Sequence, residues 1–272
     1  MSHDYDPGYG NEPFKTLCRE HPDETVYPRA DFRVEWGPIF HRGRLDGSAR
    51  VLVIGQDPAA HETIIRRILV GLAGQRVQGF LAKLGIWRSY VMVNVFLYSV
   101  YGQQGGERHK NDPGIIAYRN RWLDALLIGH EIEAVVAFGE LAGGAWKKWK
   151  ATPKGQSFEV AAVKVPHPTY PESAFSNNEE KRKAATKAML IKWNAALNTL
   201  RTAITHPDEP TSLVPYGDDF KPSDLQGIPE FDVPPGVPLW MRGQENWATR
   251  TGSTTKEKRA TITVTVPATF LP

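Results

Sequence analysis

Residues 51–60 read VLVIGQDPAA: four apolar residues and Gly55, then a turn built from Gln56, Asp57 and Pro58. An unbroken apolar run of this length, ended by turn chemistry, is the pattern of a strand buried on both faces, as parallel sheets require. Runs of the same kind recur at 90–95, 134–139 and 160–165. Between them lie stretches of helical period at 64–84 (with expected breaks at Gly71 and Gly74), 115–128 and 141–150, and a long one follows at 178–204. This alternation predicts an α/β fold, a three-layer α/β/α arrangement around a central, mostly parallel four-stranded sheet. Residues 1–205 are assigned to that domain, with 1–50 as a wrap on it.

Charge is unevenly spread over the 272 residues. Residues 206–238 hold eight of the 21 prolines and seven acidic residues against one lysine, a net of −6, which leaves +9 for the remainder of a chain whose total is +3. Proline at this density excludes a helix or a central strand. Residues 206–272 are therefore expected to be an acidic, Pro-rich arm, anchored by Phe220, Phe231 and Trp240 or hanging free, followed by one strand in RATITVTV (259–266). The basic body implies a polyanionic partner. A single cysteine, Cys18, excludes an internal disulfide and any Cys-based zinc or iron–sulfur site, so no metal or cofactor is expected. No apolar run reaches membrane-spanning length. The opening MSHDYDPGYGNEPF has neither the basic nor the apolar region of a secretory signal. A cytoplasmic monomer is the expectation, nucleoid-associated if bacterial.

In an open parallel sheet, chemistry collects beyond the carboxyl ends of the strands. The loops there lack GxGxxG, GxxxxGK[ST] and GxSxG, which takes most of the support from the common nucleotide and hydrolase readings. Three polar residues remain. Asp57 sits in the turn after the first run; it, or His61, is equally read as the cap of the next helix. Asn94 interrupts VMVNVF, and a buried amide must be satisfied, either by the core or by a ligand. His167, between Pro166 and Pro168, is held in a rigid loop, and taken alone is read as structural.

Together, GQDPA (55–59), the Asn94 strand end and HPTYP (167–171) resemble the signature loops and recognition strand of the uracil-DNA glycosylase superfamily. The similarity runs over about residues 32–200 and is densest where RRILVGLAGQ (66–75) precedes FLAKLGI (80–86) and YVMVNV (90–95). The resemblance implies an enzyme that extrudes uracil from DNA and hydrolyses its bond to deoxyribose. Asp57 would then stabilise the sugar cation and activate water, while His167 donates to uracil O2. Gln56 would add a donor and Asn94 would read the base edge.

The chain departs from the superfamily in three places. Ala59 replaces a tyrosine that blocks the thymine methyl. Leu69 occupies the place of the aromatic platform, with Phe80 or Phe96 as substitutes. The branch closest over 66–104 carries a four-cysteine iron–sulfur cluster that one cysteine cannot hold. Residues 102–112 (GQQGGERHKND) read as a mobile loop whose Arg108, His109 and Lys110 contact phosphates; a minority branch has a histidine in a similar loop that traps the sugar covalently. Arg66, Arg67, Thr169, Tyr170 and Pro171 complete the expected DNA contacts, the Tyr170–Pro171 pair as a wedge. The leading reading is a uracil-DNA glycosylase with tight product binding, on single- or double-stranded DNA. The alternatives are a uracil- or abasic-DNA-binding protein with little turnover, covalent through His109, and a small-molecule nucleotide hydrolase.

Overall fold

Four strands follow the four apolar runs, and a fifth joins them. The structure, a computed structural model, describes residues 9–128, 131–243 and 246–270. The main sheet comprises β1 (His41–Gly43), β2 (Val51–Gly55), β3 (Tyr90–Asn94), β4 (Ala134–Phe138) and β5 (Ala161–Val165), in the spatial order β1-β3-β2-β4-β5. Strands β2 to β5 run parallel, and β1 pairs antiparallel with β3. The four-stranded expectation is thus corrected to five. His-Arg-Gly carries no period-2 apolar signal, yet all three residues are buried. Arg42 is fully enclosed, with Nε on the Ile68 carbonyl at 3.0 Å and Nη1 on the Asp232 carboxylate at 2.5 Å. A charge satisfied from a distant part of the chain is what concealed the strand.

The helices in chain order are α1 (Phe14–Arg19), α2 (Ala60–Ile65), α3 (Leu72–Lys83), α4 (Gln103–His109), α5 (Pro113–Leu127), α6 (Glu140–Lys150), α7 (Pro153–Ser157), α8 (Tyr170–Ala174) and α9 (Glu179–Ala203). One sheet face packs Leu52, Ile54, Val91 and Val135 against Trp122 of α5 and Leu141 and Trp149 of α6. The other packs Val53, Met92 and Val136 against Phe80 of α3 and Leu190 and Trp193 of α9. This is the expected α/β/α layering. The helical stretch over 64–84 is divided between two helices, with the expected break at Gly71. The first ends at Arg66 in the left-handed region (φ 65), and Gly71 caps the second. Gly74 lies inside α3 without breaking it: a Cβ there would meet the Leu69 carbonyl oxygen at 1.6 Å. Residues 103–109 are helical rather than a loop.

The arm lies across the body. The Asp208 carboxylate accepts from the backbone N–H groups of Trp87, Arg88 and Ser89 at 2.6–3.0 Å. Phe220 packs on Trp193 and under the Arg76 guanidinium, Phe231 lies under Arg88, and Trp240 of α10 (Leu239–Arg242) meets Trp247. The expected C-terminal strand shortens. Residues 259 and 260 end α11 (Thr255–Ala260), and only β7 (Thr263–Val264) pairs, antiparallel, with β6 (Ala248–Thr249).

Candidate active site

The carboxyl ends of β3, β2, β4 and β5 lie side by side, and the predicted polar residues sit at or just beyond three of them. Gly55 ends β2 in register with Asn94, which ends β3. Asn94 is buried, and its Oδ1 has no hydrogen-bond partner among the described residues. That oxygen lies directly over Gly55: a Cβ at position 55 would meet it at 2.3 Å, and Leu69 Cδ1 at 3.5 Å. Glycine is required here by this close approach. The pairing extends past the strands, with Val95 N–H donating to the Gly55 carbonyl and Phe96 N–H to that of Gln56.

Two residues on, the Asp57 Oδ2 accepts from Val100 N–H at 3.2 Å. Burial pushes the Asp57 carboxyl up from 3.8 to about 6, against the opposing pull of the Val100 N–H, the Arg250 charge and the Gln56 side chain. An acid at that value is ionised at neutral pH yet close enough to protonation to take up a proton. Ala59 is exposed at the mouth. Below it, Glu62 accepts from Ala59 N–H and Val70 N–H, at 3.0 and 3.1 Å. This buried carboxylate ties the start of α2 to the 66–70 turn that carries Leu69 (φ 53). Leu69 thus borders the Asn94 amide as an aliphatic surface.

Gly139, at φ +97 after β4, separates two further groups. A Cβ on it would lie 3.4 Å from His167 Cβ and 3.8 Å from Gln56 Oε1. Gln56 therefore adjoins both Asp57 and His167. Burial holds the His167 imidazole well below its usual range, at about 4, so the ring is neutral. Thr169 N–H donates to its Nδ1 at 3.3 Å. Because a backbone N–H can only donate, Nδ1 is the acceptor, and the proton resides on Nε2, which becomes the donor. The loop is bolted down by Arg76, whose Nη1 donates to the Pro168 carbonyl at 2.6 Å and whose Nη2 pairs with Glu172 at 2.7 Å. Trp193 Nε1 donates to the Pro166 carbonyl at 3.1 Å.

The structure brings Asp57, Asn94, His167, Gln56 and Leu69 together and distributes the expected DNA contacts differently. The Arg66 guanidinium donates to the carbonyls of Trp36 and Pro38 at 2.7 and 2.6 Å, serving the fold. Arg67 donates to the Arg66 carbonyl. Arg108 and His109 both converge on Asp31, His109 through Nε2 at 2.8 Å, and Lys110 pairs with Glu107. Tyr170 is 45% exposed at the head of α8, while Thr169 is half-buried and Pro171 buried. Sequence reasoning missed Glu62, Arg76 and Arg250. Glu62 stands three residues after Ala59, the spacing of a helix-start carboxylate, which was its available signal. The two arginines had none, because their partners are remote in sequence.

Among the described residues, no helix is long and apolar enough to cross a membrane and no group of His, Cys, Asp or Glu is arranged to hold a metal ion. The family model described as "Uracil DNA glycosylase superfamily" matches residues 42–197, more than half of the chain. Among curated proteins, none matches it.

Proposed function

The chain belongs to the uracil-DNA glycosylase superfamily, and from that premise we propose that it hydrolyses the N-glycosidic bond of deoxyuridine extruded from DNA, releasing uracil and leaving an abasic site. The observation that carries this reading is the Asn94 amide. Its Oδ1 is a buried acceptor without a partner, and such an atom costs free energy unless a donor arrives. Uracil N3–H is that donor, and Asn94 Nδ2 donates in turn to O4. Cytosine presents an amino group at the latter position and is rejected, provided the amide stays fixed. Gly55, in register beside it and without a Cβ, leaves the space that the amide oxygen occupies.

The chemistry then divides between two loops. As the C1′–N1 bond breaks, its electron pair passes to the base and positive charge builds on the sugar. His167 Nε2–H, neutral and aimed by Thr169, stabilises the charge developing on O2. The Asp57 carboxylate stabilises the sugar cation and accepts a proton as the water oxygen bonds to C1′. That proton leaves with the departing uracil or to solvent. The exposed Ala59 leaves the C5 side of the base less obstructed than a tyrosine would.

The test is base release from oligonucleotides carrying uracil, thymine, hypoxanthine or xanthine, single- and double-stranded. Release of uracil by the wild type and its loss in Asp57→Ala are expected. No release of any base, or equal release by Asp57→Ala, overturns the reading. A second reading, DNA capture with little turnover, draws on His109. If its Nε2–H donates to Asp31, the Nδ1 lone pair is left as a nucleophile toward C1′. A denaturant-resistant DNA adduct lost in His109→Ala distinguishes it.

A further inference from the structure

Arg250 lies outside the residues that the family model matches, beyond the proline-rich arm. Trp247 is buried with its ring edge-on to His61 of α2 at 4.7 Å, and Ala248 N–H approaches His61 Nε2 at 3.4 Å. Pairing of β6 with β7, and Thr265 N–H on the Trp247 carbonyl at 2.8 Å, hold the segment from its other side. The chain is therefore held at a fixed place beside the start of α2, near enough for the Arg250 charge to act on Asp57. From there Arg250 Nη2 donates to Ser99 Oγ at 2.9 Å, and its guanidinium carbon stands 5.6 Å from the Trp36 ring centre. Ser99 precedes Val100, whose N–H binds Asp57. The cation and the carboxylate are thus hung from adjacent residues.

A guanidinium has five N–H donors in a planar fork. Among the described residues Arg250 makes one hydrogen bond, to a neutral hydroxyl, and no carboxylate stands within salt-bridge distance of it. It is half-buried, and burial lowers its pKa, the mark of a charge partly stripped of water. Arg66, Arg108 and Lys110, by contrast, already have partners. A partly desolvated cation with unused donors, beside a crevice that takes a nucleotide, is completed by an anion with paired oxygens.

We propose that Arg250 is the phosphate clamp for the extruded nucleotide, its unused N–H groups gripping the phosphodiester that adjoins the deoxyuridine as the base enters the Asn94 recess. The clamp rests on the glycosylase reading for the identity of that nucleotide. It assigns to the C-terminal extension a direct part in substrate binding, beyond packing.

The full-length protein and its Arg250→Gln and Arg250→Lys variants are titrated, from about 50 to 200 mM salt, with an oligonucleotide containing 2′-fluoro-2′-deoxyuridine, whose glycosidic bond resists cleavage, and with its undamaged counterpart. On the fluorinated oligonucleotide, Arg250→Gln is expected to bind about 10-fold more weakly and to lower the slope of log affinity against log salt by about one. Arg250→Lys retains the slope and binds more weakly than wild type, having lost the fork. On undamaged DNA the slopes stay equal. Unchanged slopes on both oligonucleotides overturn the clamp, and so does an equal fall on both, which marks an ordinary backbone contact. Arg250→Lys keeps charge and bulk, so it reports even if Arg250→Gln unfolds. Failure of the glycosylase reading looks different: the wild type itself then releases no uracil and does not prefer the fluorinated oligonucleotide. If only the clamp fails, the wild type still releases uracil and prefers the fluorinated oligonucleotide, and Arg250→Gln either binds like it or loses affinity equally on both oligonucleotides.

Discussion

Gly55 and Asn94 face one another at the ends of adjacent parallel strands, with the Asn94 Oδ1 filling the space in which a Cβ on residue 55 would stand. The selectivity proposed for the site depends on that fit. A methyl group at position 55 overlaps the amide oxygen at 2.3 Å, so Gly55→Ala must swing the amide away from the base edge. Base release is expected to fall by at least about 100-fold, with the loss appearing in single-turnover assays on uracil-containing DNA. An Asn94 amide that tolerates the methyl, with release unchanged, contradicts the assignment.

Asp57 is expected to set the acid side of the pH profile. Its folded value of about 6 lies above the unfolded 3.8, so the reactive carboxylate is lost as pH falls through 6. The rate constant is expected to drop about tenfold per pH unit below that point and to level off above it. His167, neutral above about 4, adds no second limb between pH 5 and 9.

The same residue should cost stability. With a raised folded pKa, the stabilising contribution of Asp57 is complete below the unfolded value of 3.8 and is lost as pH rises through 6. Asp57→Asn removes the burden of an ionised, enclosed carboxylate while retaining an acceptor for Val100 N–H. It is expected to be inactive and, at pH 8, about 3 kcal/mol more stable than wild type, with most of the difference gone near pH 4. Urea denaturation at the two pH values measures it.

Arg76 acts through His167 as a positioning residue. It fixes the Pro168 carbonyl and Glu172; burial is what holds the imidazole down, and the Arg76 charge adds to that against the upward pull of Glu172. Arg76→Gln is expected to slow base release about 10- to 100-fold and to move the His167 titration upward, as followed by NMR of the ring protons. A purely structural role leaves that titration in place.

Asp232 meets Arg42 with both side chains fully enclosed, and it also accepts from the Tyr90 hydroxyl at 2.8 Å. Asp232→Ala strands a buried cation, at an expected cost of about 3–5 kcal/mol in urea unfolding. The paired replacement Arg42→Met with Asp232→Leu should recover most of that loss, because no charge is left without its counterpart.

The four parallel strands, and the placing of Asp57, Asn94 and His167 at or just after strand carboxyl ends, were legible because they rest on local signals: apolar runs ended by turns, and polar residues where those runs stop. Strand β1 was illegible for the opposite reason, since Arg42 is satisfied by Asp232, far along the chain. Residues 103–109 look loop-like from their two glycines, yet Gly105 and Gly106 let the helix approach Val100 and Phe96 closely. Arg66 reads as a phosphate contact until its carbonyl partners at Trp36 and Pro38 are seen. Arg76 and Arg250 find their roles only once distant segments meet, and no local pattern reports that.

The Arg42–Asp232 pair also orders events during synthesis. While a ribosome makes this chain, Arg42 emerges early and finds Ile68 and Gln78 soon after, but the carboxylate that balances its charge arrives only with residue 232. A message truncated before that codon yields a product in which the buried Arg42 charge has no counter-ion.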